Sequence, residues 1–469
     1  MDTVSHFDLV VIGSGPAGEK AATEAHRWGK SSCVIDAGPT GGAWVNTGTI
    51  PSKTLRESAL FLAGGRRRGV MLDPTSQPTI RAFMGLKRHL VARWREKLES
   101  RFRATHCTRV RGQAHFVDSH TVEIDDGRRF RGERIMIATG SRPRRLNNLP
   151  VDGKIVQNSN SILHIDHIPH SMIFLGGGVI AVEYAAIFQA LGVQVTLING
   201  RDRLLGFIDS DVVHYLEQAL IAGGMAIRHQ ARPEELGTRY AGEVDLNLSD
   251  GTVVSAEQIF VALGRLPNVE SLNLEAVDVK LADWGAIEVN DSMQTSNPVI
   301  YAGGDVVGFP SLASASMEQG RVAANHMFGH GREPLDELIP AGIYTIPEVS
   351  AVGLDEQSAK RQGRDVMISA LAYDENVRAP MLGDEFGMVK LIADRQSRKL
   401  LGAAVVGERA TELIHIPQAV IKYGGTVEDL QHMVFNVPTL SALFRQTANQ
   451  FKSPATPPRR AQAVDQRDA

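Results

Sequence analysis

Cysteine is nearly absent from this sequence, and its scarcity excludes several classes of protein. Only Cys33 and Cys107 occur among 469 residues, far apart and without the spacing of a metal site. A structural disulfide framework is therefore excluded, and a reducing compartment is favoured. No apolar run reaches the length of a membrane span. A formal net charge of −3 gives no general attraction to nucleic acid or to an anionic membrane.

These absences predict a cytoplasmic protein without a nucleic-acid, membrane or metal partner. We expect no signal peptide, because the first predicted strand begins near Phe7. A hydrophobic content of 43% and a charged content of 22% are typical of globular proteins. The length allows roughly two to four domains, each with its own core.

Glycine, by contrast, is abundant, and its first cluster forms a complete dinucleotide-binding motif. Residues 7–12 are an apolar run typical of a buried parallel strand, and Gly13, Gly15 and Gly18 follow it directly. A helical pattern and a second strand come next, ending in Asp36 about 20 residues on. Gly13 permits the tight turn, Gly15 lets a pyrophosphate approach the helix start, and Gly18 lets helix and strand close together. Asp36 would accept a hydrogen bond from the adenosine ribose.

A second motif of the same kind begins in the middle of the chain. Residues 171–175 form an apolar strand, and Gly176, Gly178 and Ala181 supply the Gly-x-Gly-x-x-Ala pattern before a helix and a further strand. Two dinucleotide sites in one chain imply two dinucleotides. We therefore predict FAD at the first site and a nicotinamide nucleotide at the second, with hydride passing between them.

The residue that ends the next strand, Asn199, bears on the choice between NAD and NADP. A carboxylate at this position accepts from the ribose hydroxyls but repels the 2′-phosphate of NADP. A neutral amide removes the repulsion, and Arg201 and Arg203 could contact that phosphate or be solvated charges. The pattern favours use of both NAD and NADP.

The segment 41–53 carries a resemblance to a known family. Gly41 and Gly42, and residues 48–53 ending in Lys53, match the redox segment of the flavoprotein disulfide reductases, which belong to the class I pyridine nucleotide-disulfide oxidoreductase family. Within that family, residues 198–205, 304–315 and 342–348 are most similar to the soluble transhydrogenase group.

The resemblance implies an α/β fold with two Rossmann-like domains and an α+β dimerisation domain. Residues 1–150 and 280–338 would form the FAD-binding domain, and residues 151–279 the NAD(P)-binding domain. Residues 339–452, with alternating strands and two helices, would form the interface of a homodimer. The polar tail 453–469 is predicted to be disordered.

The groups that the family uses for thiol chemistry are missing. Trp44 and Thr49 stand where the resemblance places the two redox cysteines. Val437 and Ala442 stand where it places the histidine and glutamate that the partner subunit contributes as acid and base. Thiol–disulfide exchange needs a thiolate and a proton acceptor, so the thiol half-reaction is predicted to be absent.

The remaining groups suit hydride transfer alone. The resemblance places Lys53 near the flavin N5, paired with Glu183, and Val179 at the gate over the nicotinamide site. Our hypothesis is an FAD-dependent oxidoreductase that passes hydride from NAD(P)H to a second nicotinamide nucleotide, which needs positioning but no acid or base. Trp44 would fill the space of the missing disulfide and shield one face of the flavin ring, or pack as an ordinary core residue.

Two alternatives remain open at this point. The acceptor could instead be a quinone, oxygen or a specific small molecule, or the chain could be a non-catalytic flavin-bound scaffold. The residues assigned to FAD are Gly13, Gly15, Pro16, Ala17, Gly18, Asp36, Gly41, Gly42, Trp44, Thr49, Lys53, Ala114, Thr139, Gly140, Gly304, Asp305, Leu312, Ala313 and Ser314. The residues assigned to the nicotinamide nucleotide are Gly176, Gly178, Val179, Ile180, Glu183, Asn199, Arg201, Arg203 and Gly264. Lys53 and Glu183 are the predicted catalytic residues.

Overall fold

A computed structural model describes residues 4–67, 79–240, 242–331, 334–383 and 386–452. The predicted disordered tail, 453–469, lies outside these residues. The strands are β1 (Ser5–Ile12), β2 (Ser32–Asp36), β3 (Thr108–Arg111), β4 (Ala114–Asp118), β5 (Thr121–Ile124), β6 (Arg129–Ile137), β7 (Ser141–Pro143), β8 (Val156–Gln157), β9 (Ser171–Leu175), β10 (Gln194–Ile198), β11 (Ala226–Arg228), β12 (Pro233–Tyr240), β13 (Glu243–Leu248), β14 (Val253–Ala256), β15 (Gln258–Val261), β16 (Arg265–Pro267), β17 (Ile300–Ala302), β18 (Ala341–Ile343), β19 (Glu348–Gly353), β20 (Val366–Ala372), β21 (Met388–Asp394) and β22 (Leu400–Gly407). The helices are α1 (Pro16–Arg27), α2 (Gly42–Asn46), α3 (Thr49–Arg67), α4 (Ile80–Ala104), α5 (Val179–Ala190), α6 (Ser210–Ala222), α7 (Ala313–Met327), α8 (Glu356–Arg361), α9 (Arg378–Leu382), α10 (Ala410–Leu413), α11 (His415–Lys422), α12 (Val427–His432) and α13 (Ala442–Asn449).

The chain divides into two compact units. Among the described residues, the first contains those within 4–62, 79–176 and 233–337, and the second those within 63–67, 177–232 and 338–452. The domain boundaries expected from the sequence stay a prediction.

The first unit is built on a seven-stranded sheet with the order β3-β2-β1-β6-β5-β4, in which β17 also pairs with β6. The central strands are parallel, and β1 is in register with β2 on one side and β6 on the other. The apolar residues 9–12 of β1 are buried on both faces, as expected of a central parallel strand. Because parallel strands end at one edge, the loops that follow β1, β2 and β6 meet there.

Small residues allow α1 and α7 to pack closely in this unit. A Cβ on Gly320 of α7 would lie 2.2 Å from the carbonyl oxygen of Ala17 in α1. A Cβ on Gly303, just after β17, would lie 2.8 Å from Cε of Met136. Any larger residue at position 320 would separate the two helices. Because the loop after β17 leads into α7, this close packing also sets the distance between that loop and the first glycine motif.

The first unit also contains three smaller sheets or parts of sheets. Strand β15 is parallel to both β8 and β9. Strands β12, β13 and β14 form an antiparallel sheet, and β7 pairs with β16. Strands β7 and β16 lie within two similar segments, residues 139–143 and 263–267, and these segments pair directly.

A histidine held between two carboxylates ties the segment before β9 to the turn before β15. Nδ1 of His167 lies 2.6 Å from Asp166 Oδ1, and Nε2 lies 2.6 Å from Glu257 Oε1. The hydrogen bonds with Asp166 and then Glu257 raise the pKa of His167 above its ordinary value of 6.5. A raised pKa in the folded protein means that the charged form stabilises the fold.

We therefore predict that the stabilisation from His167 depends on pH. It should be fully present below the pKa of the unfolded chain and should disappear as the pH rises through the higher folded pKa. The measurement is the difference in melting temperature between wild type and His167→Gln across this range. The exposed His89 on α4 supplies the matched control, His89→Gln. A difference independent of pH would contradict the prediction.

The second unit contains the parallel pair β10–β11 with helices α5 and α6, and a five-stranded antiparallel sheet with the order β18-β19-β22-β21-β20. Helices α10 to α13 supply apolar residues to the core on one face of that sheet. The expectation of two helices in residues 339–452 was wrong, because the described part of this region contains six. They are four to eight residues long, and a period of 3.6 is difficult to recognise in so short a segment. Of the helices described, none is long and apolar enough to cross a membrane.

Candidate functional site

The first glycine motif is packed so tightly that side chains are excluded. Gly13 has a φ of +104°, and a Cβ there would lie 2.3 Å from the carbonyl oxygen of Ala138. A Cβ on Gly18 would lie 2.0 Å from the carbonyl oxygen of Gly13. A Cβ on Gly42 would lie 3.0 Å from Cα of Gly15. The structure therefore brings the loops 13–18 and 41–42 together, as a site that surrounds a dinucleotide requires.

These loops are joined by a chain of hydrogen bonds that includes Asp36. The backbone N–H of Gly41 donates to Ser14 Oγ at 2.8 Å, and the N–H of Ser14 donates to Asp36 Oδ1 at 2.7 Å. The other carboxylate oxygen, Oδ2, accepts from Arg109 Nη2 at 2.7 Å. Burial raises the pKa of Asp36, and the bonds from Ser14 and the charge of Arg109 oppose that rise.

Arg109 is an organising residue that the sequence pattern did not identify. Its Nη2 also donates to Thr40 Oγ1 at 3.0 Å, and its Nη1 lies 3.4 Å from Glu99 Oε1. The guanidinium lies 4.5 Å from the ring centroid of Phe102. Arg109 thus connects β3, the end of β2, the loop before Gly41 and helix α4. The predicted contact of Asp36 with a ribose stays a prediction, but its carboxylate is already fixed by two donors.

A cavity of about 500 Å³ adjoins this cluster at the ends of β2 and β3. It is lined by Ala37, Arg111, Gly112, Gln113, Asp125 and Asp126. A cavity of this size suits a small-molecule group such as a nucleoside. Ala114, predicted to contact FAD, is buried next to the lining residue Gln113. The cavity thus lies beside Asp36, the residue predicted to bind the adenosine ribose, and that contact stays a prediction.

Asp305, which the sequence analysis assigned to FAD, is held through Ser141 by the half-buried Arg265. Asp305 Oδ2 accepts from Ser141 Oγ at 2.7 Å, and Arg265 Nε donates to Ser141 Oγ at 2.8 Å. The N–H of Gly304 donates to Gln319 Oε1 of α7 at 2.7 Å. Burial lowers the pKa of Arg265, and the charge of Asp305 opposes that change. Ser141 and Arg265 were missed, although each directly follows a glycine, Gly140 or Gly264, in the two similar motifs.

The turns after β6 and β15 contain glycines with positive φ and are joined by a reciprocal pair of hydrogen bonds. Gly140 and Gly264 have φ values of +70° and +110°. Thr139 Oγ1 donates to the carbonyl oxygen of Asn268 at 2.7 Å, and Asn268 Nδ2 donates back to Thr139 O at 2.9 Å. The apolar Leu312 occupies the N-cap of α7 and cannot satisfy its first backbone N–H groups. Those donors therefore suit the electron-rich side of a flavin ring.

The segment 41–53 contains helix α2 and the start of helix α3. Helix α2 ends at Asn46, and α3 begins at Thr49, so Trp44 and Thr49 lie on different helices. The Trp44 ring meets the Trp94 ring of α4 edge-on, with centroids 5.5 Å apart. Trp44 thus packs in the core against α4, and its predicted role beside the flavin stays a prediction.

The two predicted catalytic residues lie in different units. Lys53 is half-buried in the second turn of α3. Glu183 is buried on α5, and its Oε1 accepts from the backbone N–H of Tyr344 at 2.8 Å. This bond, which links α5 to the segment after β18, was not predicted from the sequence. The pairing of Lys53 with Glu183 stays a prediction.

Asn199 is buried and uses its amide to hold the loop that follows β10. Its Nδ2 donates to the carbonyl oxygens of Arg203 at 2.8 Å and Arg201 at 3.2 Å, and it lies 3.1 Å from His229 Nδ1. Its Oδ1 accepts from the N–H of Arg201 at 3.2 Å. A Cβ on Gly177 would lie 2.4 Å from that Oδ1. Asn199 is 2% exposed, so its first role is to shape the loop rather than to face a ligand.

The arginines on this loop differ in their contacts. Arg203 Nη2 donates to the carbonyl oxygen of Gly206 at 2.7 Å. Arg201 is exposed and lies beside the same glycine. Arg201 is therefore the more available of the two for an anion, and Arg203 helps to close the loop.

We predict that Asn199→Asp, the usual change toward NAD selectivity, weakens the binding of both nucleotides. A carboxylate cannot donate to the carbonyl oxygens of Arg201 and Arg203, and an unsatisfied buried group costs about 1–3 kcal/mol. The dissociation constants of NADH and NADPH should both rise, by roughly tenfold at 1.4 kcal/mol. The control is Asp202→Asn on the same loop, where the side chain is exposed. A selective loss of NADPH alone would show the prediction to be wrong.

The structure agrees with the absence of thiol chemistry. Cys33 belongs to the core on one face of the large sheet and Cys107 to the core on the other. Burial raises the pKa of Cys33 to about 12 and also raises that of Cys107. A disulfide would require both thiols on the same side. Val437 is 81% exposed, and an apolar side chain there cannot act as an acid or base.

Comparison with known proteins agrees with this organisation. Residues 7–320 match the family model described as pyridine nucleotide-disulphide oxidoreductase, and residues 339–448 match the dimerisation domain of the same family. The chain belongs to the pyridine nucleotide-disulphide oxidoreductase family. This membership confirms the predicted fold class, the use of FAD and NAD(P), and the homodimer.

Relatives and solved structures cover almost the whole chain. A soluble pyridine nucleotide transhydrogenase of Mycobacterium bovis (strain BCG / Pasteur 1173P2) is 38% identical, over 94% of this chain and 96% of the relative. One of Marinomonas sp. (strain MWYL1) is 35% identical, over 95% and 98%. LpdA of Mycobacterium tuberculosis has a TM-score of 0.87 at 26% identity, covering 96% of this chain and 100% of LpdA. The HOCl-induced flavoprotein disulfide reductase RclA of Escherichia coli has a TM-score of 0.86 at 25% identity, covering 95% and 100%.

Proposed function

We propose that this family member is an FAD-dependent enzyme that transfers hydride from NADPH or NADH to a second, oxidised nicotinamide nucleotide. The observation that carries the proposal is that both dinucleotide motifs are retained while the groups needed for thiol–disulfide exchange are missing. Both cysteines are buried on opposite faces of a sheet, and an exposed valine occupies the acid–base position. The names of the relatives, soluble pyridine nucleotide transhydrogenases, support the same reaction.

The residues of the first unit would hold the cofactor. When bound, FAD supplies the group that accepts a hydride from one nucleotide and returns it to another. The start of α1 binds the pyrophosphate through its backbone N–H groups. Asp305, fixed by Ser141, binds the ribityl chain, and the start of α7 stabilises negative charge on the flavin. Lys53 and Glu183 orient the nicotinamide and favour that negative charge.

The loop after β10 would determine which nucleotide binds. Arg201 is exposed and positively charged, so it can contact the 2′-phosphate of NADP. Asn199 carries no charge that would repel this phosphate. The small Val179 at the start of α5 leaves access to the flavin for repeated exchange. We propose that the enzyme uses both NAD and NADP, in the cytoplasm, where its two thiols stay reduced.

The decisive experiment mixes the purified yellow protein anaerobically with NADPH and thio-NAD. We expect the flavin band to bleach on mixing with NADPH and thio-NADH to form with ping-pong kinetics, seen as parallel double-reciprocal lines. Deuterium placed on C4 of NADPH should appear in thio-NADH. A flavin that NADPH reduces but no nicotinamide analogue reoxidises would contradict the proposal.

Two further arms separate the alternative functions. Turnover with a quinone but not with thio-NAD would identify an NAD(P)H dehydrogenase. A flavin spectrum unchanged by both NADPH and NADH would identify a scaffold. Oxygen as the acceptor is tested by repeating the NADPH reaction in air without thio-NAD.

A further inference from the structure

Lys390 is a buried cation held by three carboxylates within the second unit. It lies on β21, on the face opposite the core that contains Val389 and Leu391. Its side chain is 1% exposed. Nζ is 2.9 Å from both oxygens of Asp209, 2.8 Å from Asp211 Oδ2 and 3.1 Å from Glu356 Oε2. Such a group requires compensation, because an unpaired charge is rarely buried.

The main partner of Lys390 fixes the start of helix α6. Asp209 occupies the N-cap of α6 and accepts from the backbone N–H of Asp211 at 3.0 Å. Its carboxylate therefore has two roles, to cap the helix and to neutralise Lys390. Because Asp209 also ends the loop that begins at Asn199, the position of Lys390 determines where that loop ends.

Helix α6 in turn holds the middle of the loop. Glu217 on α6 accepts from the backbone N–H of Leu204 at 3.2 Å. The N–H of Leu205 donates to the carbonyl oxygen of Gly177, in the second glycine motif, at 2.8 Å. A continuous set of contacts thus leads from a strand of the dimerisation domain to the glycine motif, through Asp209 and α6.

We propose that Lys390 is a positioning residue for the nicotinamide nucleotide, and that through it the dimerisation domain contributes to nucleotide affinity. The inference rests on the proposed function, since it takes the loop with Arg201 and Arg203 as the nucleotide contact. Lys390 does not touch the nucleotide itself. It holds α6 and the loop in the geometry that places the arginines.

A purely structural role for Lys390 makes a different prediction. A structural residue would change the melting temperature and the FAD content together, with nucleotide binding reduced only in proportion to the folded fraction. A positioning residue changes nucleotide binding in protein that is folded and fully loaded with FAD. The two roles can therefore be separated by measuring binding and flavin reactivity in the same sample.

The test uses the holoenzyme with Lys390→Met, and with Lys360→Met as the matched control. Lys360 pairs with the same Glu356 at 2.7 Å, but its side chain is 69% exposed and does not contact Asp209 in the described structure. Binding is measured by calorimetry with adenosine 2′,5′-bisphosphate and with ADP-ribose as probes. Reoxidation of dithionite-reduced flavin by ferricyanide reports on the flavin site without a nucleotide.

We expect Lys390→Met to weaken the binding of both probes by about tenfold or more, with FAD content and ferricyanide rate as in wild type. Lys360→Met should bind like wild type. Equal binding in all three proteins, or a loss of binding only in proportion to lost FAD, would overturn the inference.

A milder variant keeps the inference testable where Lys390→Met does not fold. Asp209→Asn retains an oxygen to cap α6 but loses the charge that attracts Lys390, so it should weaken probe binding in the same direction. Wild-type binding by a folded Asp209→Asn would overturn the inference. The probes report binding without hydride transfer, so failure of the thio-NAD assay would reject the proposed function and leave this result standing.

Discussion

Replacing Arg109 by methionine should yield a protein that loses its FAD during purification. The side chain of Asp36 is 10% exposed and that of Arg109 is 19% exposed, so removing the arginine leaves a buried carboxylate without its counter-ion. Breaking a buried pair in this way costs about 3 kcal/mol or more, and that amount corresponds to roughly 100-fold in affinity. The loss should appear in FAD binding, because Asp36 and Thr40 adjoin both glycine loops that would hold the cofactor.

The measurement is the FAD dissociation constant of Arg109→Met, from fluorescence titration of the apoprotein. Arg103→Met, at an exposed position on α4, is the matched control and should bind FAD like wild type. The double variant Arg109→Met with Asp36→Asn removes the unpaired carboxylate charge of Asp36 and keeps an acceptor for the N–H of Ser14. It should therefore bind FAD more tightly than Arg109→Met alone. Wild-type affinity in Arg109→Met would show that the ion pair does not organise the site.

Lys53→Met should keep its FAD but reduce it with NADPH about 100-fold more slowly, the loss typical when one electrostatic stabiliser is removed from an active site. The prediction follows from the proposed position of this half-buried cation beside the flavin. Stopped-flow absorbance of the flavin band measures the rate. Lys280→Met, the same substitution at an exposed position of the first unit, should react like wild type.

Glu183→Gln tests the proposed partner of Lys53. An amide can still accept the hydrogen bond from the backbone N–H of Tyr344, so this change removes the charge without breaking that contact. We expect a slower flavin reduction, and a double variant with Lys53→Met that is no slower than Lys53→Met alone. Independent, additive effects of the two substitutions would show that the residues do not act as a pair.

The sequence predicted those parts of the fold that depend on local pattern. The strand, glycine turn and helix at residues 7–27 follow from an apolar run and the spacing of three glycines. The structure has them where predicted.

The contacts that organise the candidate site were not predictable in this way. Arg109 and Asp36 are 73 residues apart in the chain, and Arg109 stands in the short polar strand Thr108–Arg111 just as a solvent-facing residue would. Lys390 likewise reads as a single polar residue within an apolar strand, although it is fully buried. Such pairs arise when distant elements meet, and neither periodicity nor spacing records which elements those are.

The arrangement of Cys33 and Cys107 on opposite faces of one sheet has a practical consequence. Alkylating agents, mercurials and electrophilic inhibitors act on accessible thiolates, and the native chain offers them none, so activity should survive doses that inactivate a dithiol enzyme. The wild type is also a ready background for site-specific labelling. Val437 is exposed and stands where the family has its acid–base histidine. A fluorophore on Val437→Cys would therefore report on the assembly of the two subunits without competing thiols.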